Sequence, residues 1–127
     1  MSIYKKEILN LVSKVKKKSD IDPFIRKFLD YFFNEVKSQV NYSNGIFFYY
    51  EDELDKFFMQ HIYKNDSRLI EMTKDLFKEG IVNLIIDTRT IKKIANIYSN
   101  DGSSFLIIPM FYLNNSLGVS IFLISNN

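Results

Sequence analysis

The sequence predicts an α+β fold, a central antiparallel β-sheet of five to six strands with helices on both faces. The main evidence is the last quarter of the chain, Ser103–Ser125, where two β-prone apolar runs flank a short Asn-rich turn. This pattern is typical of an antiparallel hairpin. Upstream of it, stretches with helical periodicity alternate with short strand-like runs. In the last strands both alternating sets of side chains are apolar, so both faces of the sheet are expected to be covered.

Composition excludes several kinds of site. The chain has 127 residues, enough for one domain with a buried core. It contains no cysteine and one histidine, which excludes disulfides, cysteine nucleophiles, thiolate metal sites and multi-histidine metal sites. A net charge of +2 is too small to predict binding to nucleic acid. No apolar run has the length of a membrane span or a signal peptide, so we expect a cytoplasmic protein without membrane insertion.

Residues 1–19 are predicted to form a separate amphipathic helix. Its apolar residues recur at spacings of four, three and four, and lysines and a glutamate fill the other faces. A stripe this narrow is typical of a coiled-coil seam, so we predict a homodimer interface here. The alternative is a helix that packs onto its own domain. The residues of the stripe are Tyr4, Ile8, Leu11 and Val15.

The remaining residues, 20–127, are predicted to form one domain. A helix is expected to start near Pro23, which suits a first helical turn, and to present a broad apolar face over Phe24–Val40. Two β-prone runs around an acidic turn predict a first hairpin, with strands at Ile46–Tyr50 and Leu54–Tyr63.

The segment between the two hairpins is predicted to contain a helix and a strand. Asn65, Asp66 and Ser67 are suited to cap a helix over Arg68–Lys78, and Gly80 is suited to end it. The apolar run Ile81–Ile86 is predicted to be a strand. Thr88–Tyr98 is predicted to be a helix or an irregular cover over the sheet.

Three stretches of this pattern resemble a GAF domain. The first is a long helix that leads into a hairpin, DPFIRKFLDYFFNEVKSQVNYSNGIFFYYEDELDKFFM. The second is a helix, a glycine and a short run that ends in Asp, LIEMTKDLFKEGIVNLIID. The third is SSFLIIPMFYLNNSLGVSIFLIS, in which Pro109 and Gly118 occupy the characteristic places of the family's ending. Together these stretches span roughly residues 22–125.

The resemblance implies a function as well as a fold. GAF domains typically sense small molecules or act as dimerising spacers in signalling proteins, and the resemblance implies a pocket between the sheet and the variable segment, Asp87–Ser104. The signature of cyclic-nucleotide-binding members is missing, because Asn96 and Asn100 lack a following lysine. Members that attach a bilin commonly use a cysteine, and sulfoxide-reducing members need cysteines, which this chain does not have. The usual C-terminal helix of the family is also missing.

Five residues are candidates for ligand binding. His61 has the one side chain whose ordinary pKa is close to neutrality, although a surface or hydrogen-bonded histidine is the alternative. Asp87 and Arg89 follow the predicted strand, where an aspartate can also simply cap a turn. Tyr98 and Asp101 lie where the resemblance implies the lip of the pocket, but such residues are also common in turns.

No catalytic pattern is present, so we predict that the protein is not an enzyme. Paired carboxylates at catalytic spacing, a Gly-rich phosphate loop, a nucleophile elbow and a metal cluster are all missing from the sequence. The first hypothesis is a GAF-like regulatory module that binds a small molecule, dimerises, or does both; its cofactor, if any, is not predicted. The second is a purely structural dimerisation module whose pocket is filled by its own aromatic residues. A PAS-like or roadblock-like scaffold domain is a third interpretation.

Overall fold

A computed structural model describes residues 21–51, 54–112 and 115–125. These residues contain three helices and five strands, which confirms the predicted α+β class and the antiparallel sheet of five strands. The predicted N-terminal seam of Tyr4, Ile8, Leu11 and Val15 lies outside the described residues. The elements are α1 (Ile21–Gln39), β1 (Tyr42–Glu51), β2 (Lys56–Ile62), α2 (Ser67–Lys78), α3 (Ile81–Thr88), β3 (Lys92–Ala95), β4 (Ser104–Tyr112) and β5 (Asn115–Ile124).

The chain divides into two compact units, Met1–Asn41 and Tyr42–Asn127. In the described part of the first unit, α1 carries the broad apolar face that the sequence predicts. The rings of Phe28 and Phe32 stack with their centroids 6.0 Å apart, and Phe33 lies edge-on to Phe32 at 6.4 Å. None of the helices in the described ranges is long and apolar enough to cross a membrane. Among residues 27–39 of α1, the buried ones are Phe28, Leu29, Phe32, Phe33 and Val36.

The second unit contains the whole sheet, with the strand order β2-β1-β5-β4-β3 and antiparallel pairing throughout. Both predicted hairpins are confirmed, since β1 pairs with β2 and β4 pairs with β5. β5 lies between β1 and β4, so the last strand of the chain is at the centre of the sheet.

Both faces of the sheet carry buried side chains, as alternation along each strand requires. One face packs against α2 and α3 and forms a continuous apolar core with them. On the opposite face Phe47, Ile108 and Phe122 are also buried. The buried core on the helical face consists of Ile46, Phe48, Phe105, Ile107, Val119 and Ile121 of the sheet with Leu69, Leu76, Val82 and Ile85 of the helices.

Pro109 and Gly118, the two residues of the last hairpin that carry the GAF resemblance, fit into the sheet for different structural reasons. Pro109 can stand in β4 because β3 pairs with β4 only at residues 104–107, so at Pro109 the ladder to β3 has already ended. Gly118 has a φ of +155° and lies between Tyr49 of β1 and Met110 of β4. A β-carbon at Gly118 would lie 2.2 Å from the carbonyl oxygen of Phe48, so glycine is required by space as well as by backbone conformation.

Two predictions between the hairpins are wrong. Ile81–Ile86 is not a strand but part of helix α3, because Gly80, with φ at +78°, turns the chain and accepts a hydrogen bond from the N–H of Leu84 at 3.1 Å. Within α3, Val82 and Ile85 are buried whereas Leu84 is exposed, which is helical spacing within a run that is apolar except for Asn83. Thr88–Tyr98 is not a helical cover, since Lys92–Ala95 forms the edge strand β3.

We predict that Gly118→Ala destabilises the second unit. The added methyl group must displace the backbone of β1 or the ring of Phe47, and overpacking of this kind costs about 1–3 kcal/mol. Gly102→Ala is the matched control, because Gly102 also has a positive φ, of +74°, but nothing lies within 4 Å of an added β-carbon. Urea denaturation measures both variants, and an equal loss of stability in the two would contradict the steric explanation.

Candidate functional site

The second unit contains a cleft of about 380 Å³ between α2 and the segment that connects β3 to β4. One wall is formed by Asp66 and by residues of α2 from Ser67 to Asp75, and the other wall is the β3–β4 connection. Leu123 of β5 also lines the cleft. The lining residues are Asp66, Ser67, Arg68, Glu71, Met72, Asp75, Tyr98, Ser99, Asp101 and Leu123.

The α2 wall is acidic because carboxylate side chains recur along the helix at a spacing that places them on one side. Asp66 caps the helix in an extended conformation, and its carboxylate accepts a hydrogen bond from the N–H of Arg68 at 2.9 Å. Glu71 and Asp75 follow at a spacing of four, so they project from the same side of the helix. Arg68 partly balances this charge, with its Nε 3.9 Å from Asp66, but its side chain is 88% exposed and such surface pairs are weak.

The opposite wall is held in place by Asn96, which follows β3 and is buried. Its backbone N–H donates to the carbonyl oxygen of Ser103, and its Nδ2 donates to the hydroxyl of Ser103, both at 3.0 Å. Its Oδ1 accepts from the N–H of Tyr98 at 3.0 Å, and its Nδ2 also lies 3.4 Å from the sulfur of Met72 on α2. Asn96 therefore closes the β3–β4 connection and joins it to the helical wall.

Tyr98 makes a second link between the two walls. Its hydroxyl donates to Oε2 of Glu79 at 2.8 Å, at the C-terminal end of α2. Burial of the ring, this hydrogen bond, the charge of Glu79 and then the charge of Asp75 together raise the pKa of Tyr98 to about 12. The phenol therefore stays neutral and acts as a hydrogen-bond donor at physiological pH.

Asp101 stays ionised at the rim of the cleft. Its Oδ1 accepts from the N–H of Ser103 at 2.9 Å. Hydrogen bonds from the hydroxyl and the backbone N–H of Ser103 lower the pKa of Asp101. Four carboxylates and one guanidinium line the cleft, so its charge is negative. Within the described ranges of the chain, no three acidic or histidine side chains come close enough together to hold a metal ion.

The structure brings two of the five candidate residues together. Tyr98 and Asp101 line the cleft, whereas His61, Asp87 and Arg89 are not among its lining residues. His61 lies on β2 opposite Phe47, and Asp87 is exposed in the last turn of α3. Arg89 ends α3 in a left-handed conformation, and its guanidinium lies 4.6 Å from the ring centroid of Phe111.

Sequence reasoning did not identify the acidic wall on α2 or the role of Asn96 in holding the opposite wall. Glu71 and Asp75 come from a helix that the sequence does predict, and their spacing of four marked a common polar side. That side could not be assigned to a cleft without knowing that the β3–β4 connection lies opposite it. Asn96 carried no signal of its own, because asparagine is common after strands and its burial depends on Ser103 and Met72.

Comparison of the chain with protein-family models, with curated proteins and with solved structures finds no match. The resemblance to a GAF domain therefore stays a prediction.

We predict that Asn96→Ala destabilises the second unit by about 1–3 kcal/mol, because the N–H of Tyr98 loses its buried partner. Asn100→Ala in the same connection is the control, since Asn100 is exposed. Chemical denaturation compares the two variants. An effect of Asn96→Ala no larger than that of Asn100→Ala would show that the β3–β4 connection does not depend on this side chain.

We predict that Tyr98 ionises near pH 12 and that Glu79→Gln lowers this pKa towards 10, because the negative charge beside the phenol is removed. The folded-state pKa lies above the ordinary tyrosine value of 10.0, so this contribution to stability is complete below pH 10 and is lost as the pH rises towards 12. Spectrophotometric titration of tyrosinate measures the shift, and the difference spectrum against Tyr98→Phe assigns it. A titration curve that Glu79→Gln leaves unchanged would contradict the contact.

Proposed function

We propose that this chain is a non-enzymatic, GAF-like regulatory module of the cytoplasm that binds a small molecule in the cleft between α2 and the β3–β4 connection. The observation that carries the proposal is the position of this cleft. Tyr98, Ser99 and Asp101 line it and belong to Asp87–Ser104, the variable segment. The GAF resemblance implies a pocket between this segment and the sheet, whereas here α2 forms the other wall and Leu123 is the lining residue from the sheet. A concave site with an apolar side and a few converging polar groups is the usual form of a small-molecule site.

The charge of the cleft selects the class of ligand. The carboxylates of Glu71, Asp75 and Asp101 favour a cation, while Met72 and Leu123 offer apolar contact to its carbon skeleton. Since no three of these acids converge, an organic cation such as an amine fits better than a bare metal ion. The proposal includes a homodimer through Tyr4, Ile8, Leu11 and Val15, which would pass the bound state on to a partner domain.

A second candidate function is a purely structural dimerisation module. The observation that favours it is the aromatic filling between the sheet and α2. The ring of Phe77 lies 4.9 Å from that of Phe48 and 5.1 Å from that of Phe57, so aromatic side chains pack against one another between the sheet and this part of α2. On this interpretation the cleft at the other side of α2 is only a surface depression.

We predict that organic cations raise the melting temperature whereas anionic metabolites of similar size do not. Spermidine, choline and arginine amide serve as cations, and glutamate and adenosine monophosphate as anions. A ligand at a concentration of about 100 times its Kd stabilises the folded state by roughly 2.7 kcal/mol. The double variant Glu71→Gln, Asp75→Asn is expected to lose this stabilisation.

The control is the double variant Asp30→Asn, Asp87→Asn, which removes the same number of charges at exposed positions outside the lining of the cleft. It is expected to keep the thermal shift. If millimolar cations stabilise neither the natural chain nor the control, ligand sensing in this cleft is excluded and the structural module is favoured. If all three proteins respond equally, the cations act through net charge and not through the cleft.

A further inference from the structure

The two edges of the sheet differ in how well they are protected against pairing with another strand. β3 has four residues and begins with Lys92 and Lys93, both exposed, and short lysine-bearing edges resist pairing. β2 has seven residues and one lysine, Lys56, at its start. It pairs with β1 along one side and is the outermost strand of the described sheet on the other.

Exposed apolar side chains are concentrated at β2. Seven large apolar side chains are exposed in the described ranges, and four of them lie within residues 54–63. A cluster of this kind marks an interaction surface more often than scattered single residues do. These four are Leu54 at 60%, Phe58 at 45%, Met59 at 49% and Tyr63 at 45% exposure.

A groove of about 740 Å³ runs beside β2 on the helical face of the sheet. Phe57 and Met59 of β2 form one side of it, and Ile70 and Phe77 of α2 form the other. The groove runs beside residues 55–59, and its lining also includes Asp55, Lys56, Lys74 and Asn83. A strand added beside this part of β2 would bury side chains against the apolar residues of the groove.

A β-bulge at Gln60 sets the direction of the side chains along this edge. Phe48 lies opposite Met59 while Phe47 lies opposite His61, so Gln60 is the extra residue. As a consequence Phe57 and Ile62 both pack against the core on the helical face, although they are five positions apart. A second copy can add antiparallel to β2 with its Ile62 opposite Phe57 of the first copy. Two apolar residues of the same sheet face then lie side by side, and the two-fold symmetry repeats this contact between Ile62 of the first copy and Phe57 of the second.

The same register pairs opposite charges. Asp55 belongs to the turn directly before β2, with a φ of +50°, and Lys64 follows the end of β2 by two residues. If Phe57 of one copy lies opposite Ile62 of the other, this register therefore brings Asp55 near Lys64, again twice because of the two-fold symmetry. The hydroxyl of Tyr50 donates to the carboxylate of Asp55. The side chain of Asn44 holds the backbone of Lys64, donating to its carbonyl oxygen and accepting from its N–H, both at 2.8 Å. In this register, the edge of one copy therefore matches that of the other both in its apolar residues and in its charges.

We propose that β2 is a self-association edge, at which a second copy of this chain adds antiparallel to β2 with Phe57 opposite Ile62 and Asp55 opposite Lys64. The two sheets then continue into one sheet across the two-fold axis. This interface does not depend on a ligand in the acidic cleft, and it is separate from the predicted N-terminal seam.

Charge reversal tests the register. The full chain carrying Ile8→Asp and Leu11→Asp, which disables the N-terminal seam, serves as the background for sedimentation equilibrium. In this background we expect a dimer whose Kd rises about tenfold with Asp55→Lys and about tenfold with Lys64→Glu, because each change puts like charges together twice. The variant with both changes is expected to return to within about threefold of the background Kd.

Met59→Lys is expected to abolish the dimer, since it places a charge in the groove. Ile97→Lys is the matched control, because Ile97 is 72% exposed and lies in the β3–β4 connection; it is expected to leave the Kd unchanged. Thermal unfolding of each variant verifies that it is folded. A monomeric background protein, a dimer that survives Met59→Lys, or a double charge reversal that does not restore association would each overturn the proposal. The thermal-shift response to cations is measured separately, so a failure of the ligand hypothesis is distinguishable from a failure of this one.

Discussion

The pairing of β5 with β1 is the interaction on which the second unit depends. It joins Tyr42 to Ile124 and continues to Tyr49 and Gly118, so it connects residues about seventy to eighty positions apart in the chain. Such a non-local ladder has a high loop-closure cost, which burial must offset. Ile46 and Ile121 lie opposite one another in this ladder, and neither is exposed to solvent. Gly118 belongs to the same constraint, because only a residue without a β-carbon lets the two backbones approach at that point.

The sequence predicts the hairpins well because their signals are local. The β4–β5 hairpin has a turn, a strand on each side and alternation within each strand, all within about twenty residues. The strand order is a different matter, since nothing in β1 indicates that its second partner is β5. The prediction of a strand at Ile81–Ile86 is wrong for a physical reason: a short run that is apolar except for Asn83 satisfies a buried strand and a buried helix equally. The turn at Gly80 decided between them, and its left-handed conformation cannot be predicted from the run itself.

The candidate site, like the strand order, depends on contacts between distant parts of the chain that the sequence does not indicate. Tyr98 and Asp101 could be proposed because they lie in one loop, which the chain itself brings together. Glu71 and Asp75 could not, because the connection opposite them is positioned by Asn96, whose partners are Met72 of α2 and Ser103, the residue before β4. Asp87 and Arg89 were proposed on the assumption that a strand ends at Asp87, and the helix α3 places both at its C-terminal end instead. A wrong assignment of one element therefore displaced two candidate residues.

Helix α2 contacts both surfaces that the structure singles out. Arg68, Glu71 and Asp75 line the acidic cleft, and Ile70, Lys74 and Phe77 line the apolar groove beside β2. These two sets alternate along the helix at spacings of three and four, so they form different faces of one rigid element. A ligand that shifts α2 towards the β3–β4 connection would change the width of the groove on the other side. Coupling of this kind requires that the ligand bind the two positions of α2 with unequal affinity, and by linkage dimerisation would then alter ligand affinity by the same factor. The ring contacts of Phe77 with Phe48 and Phe57 are the contacts that such a shift would have to repack.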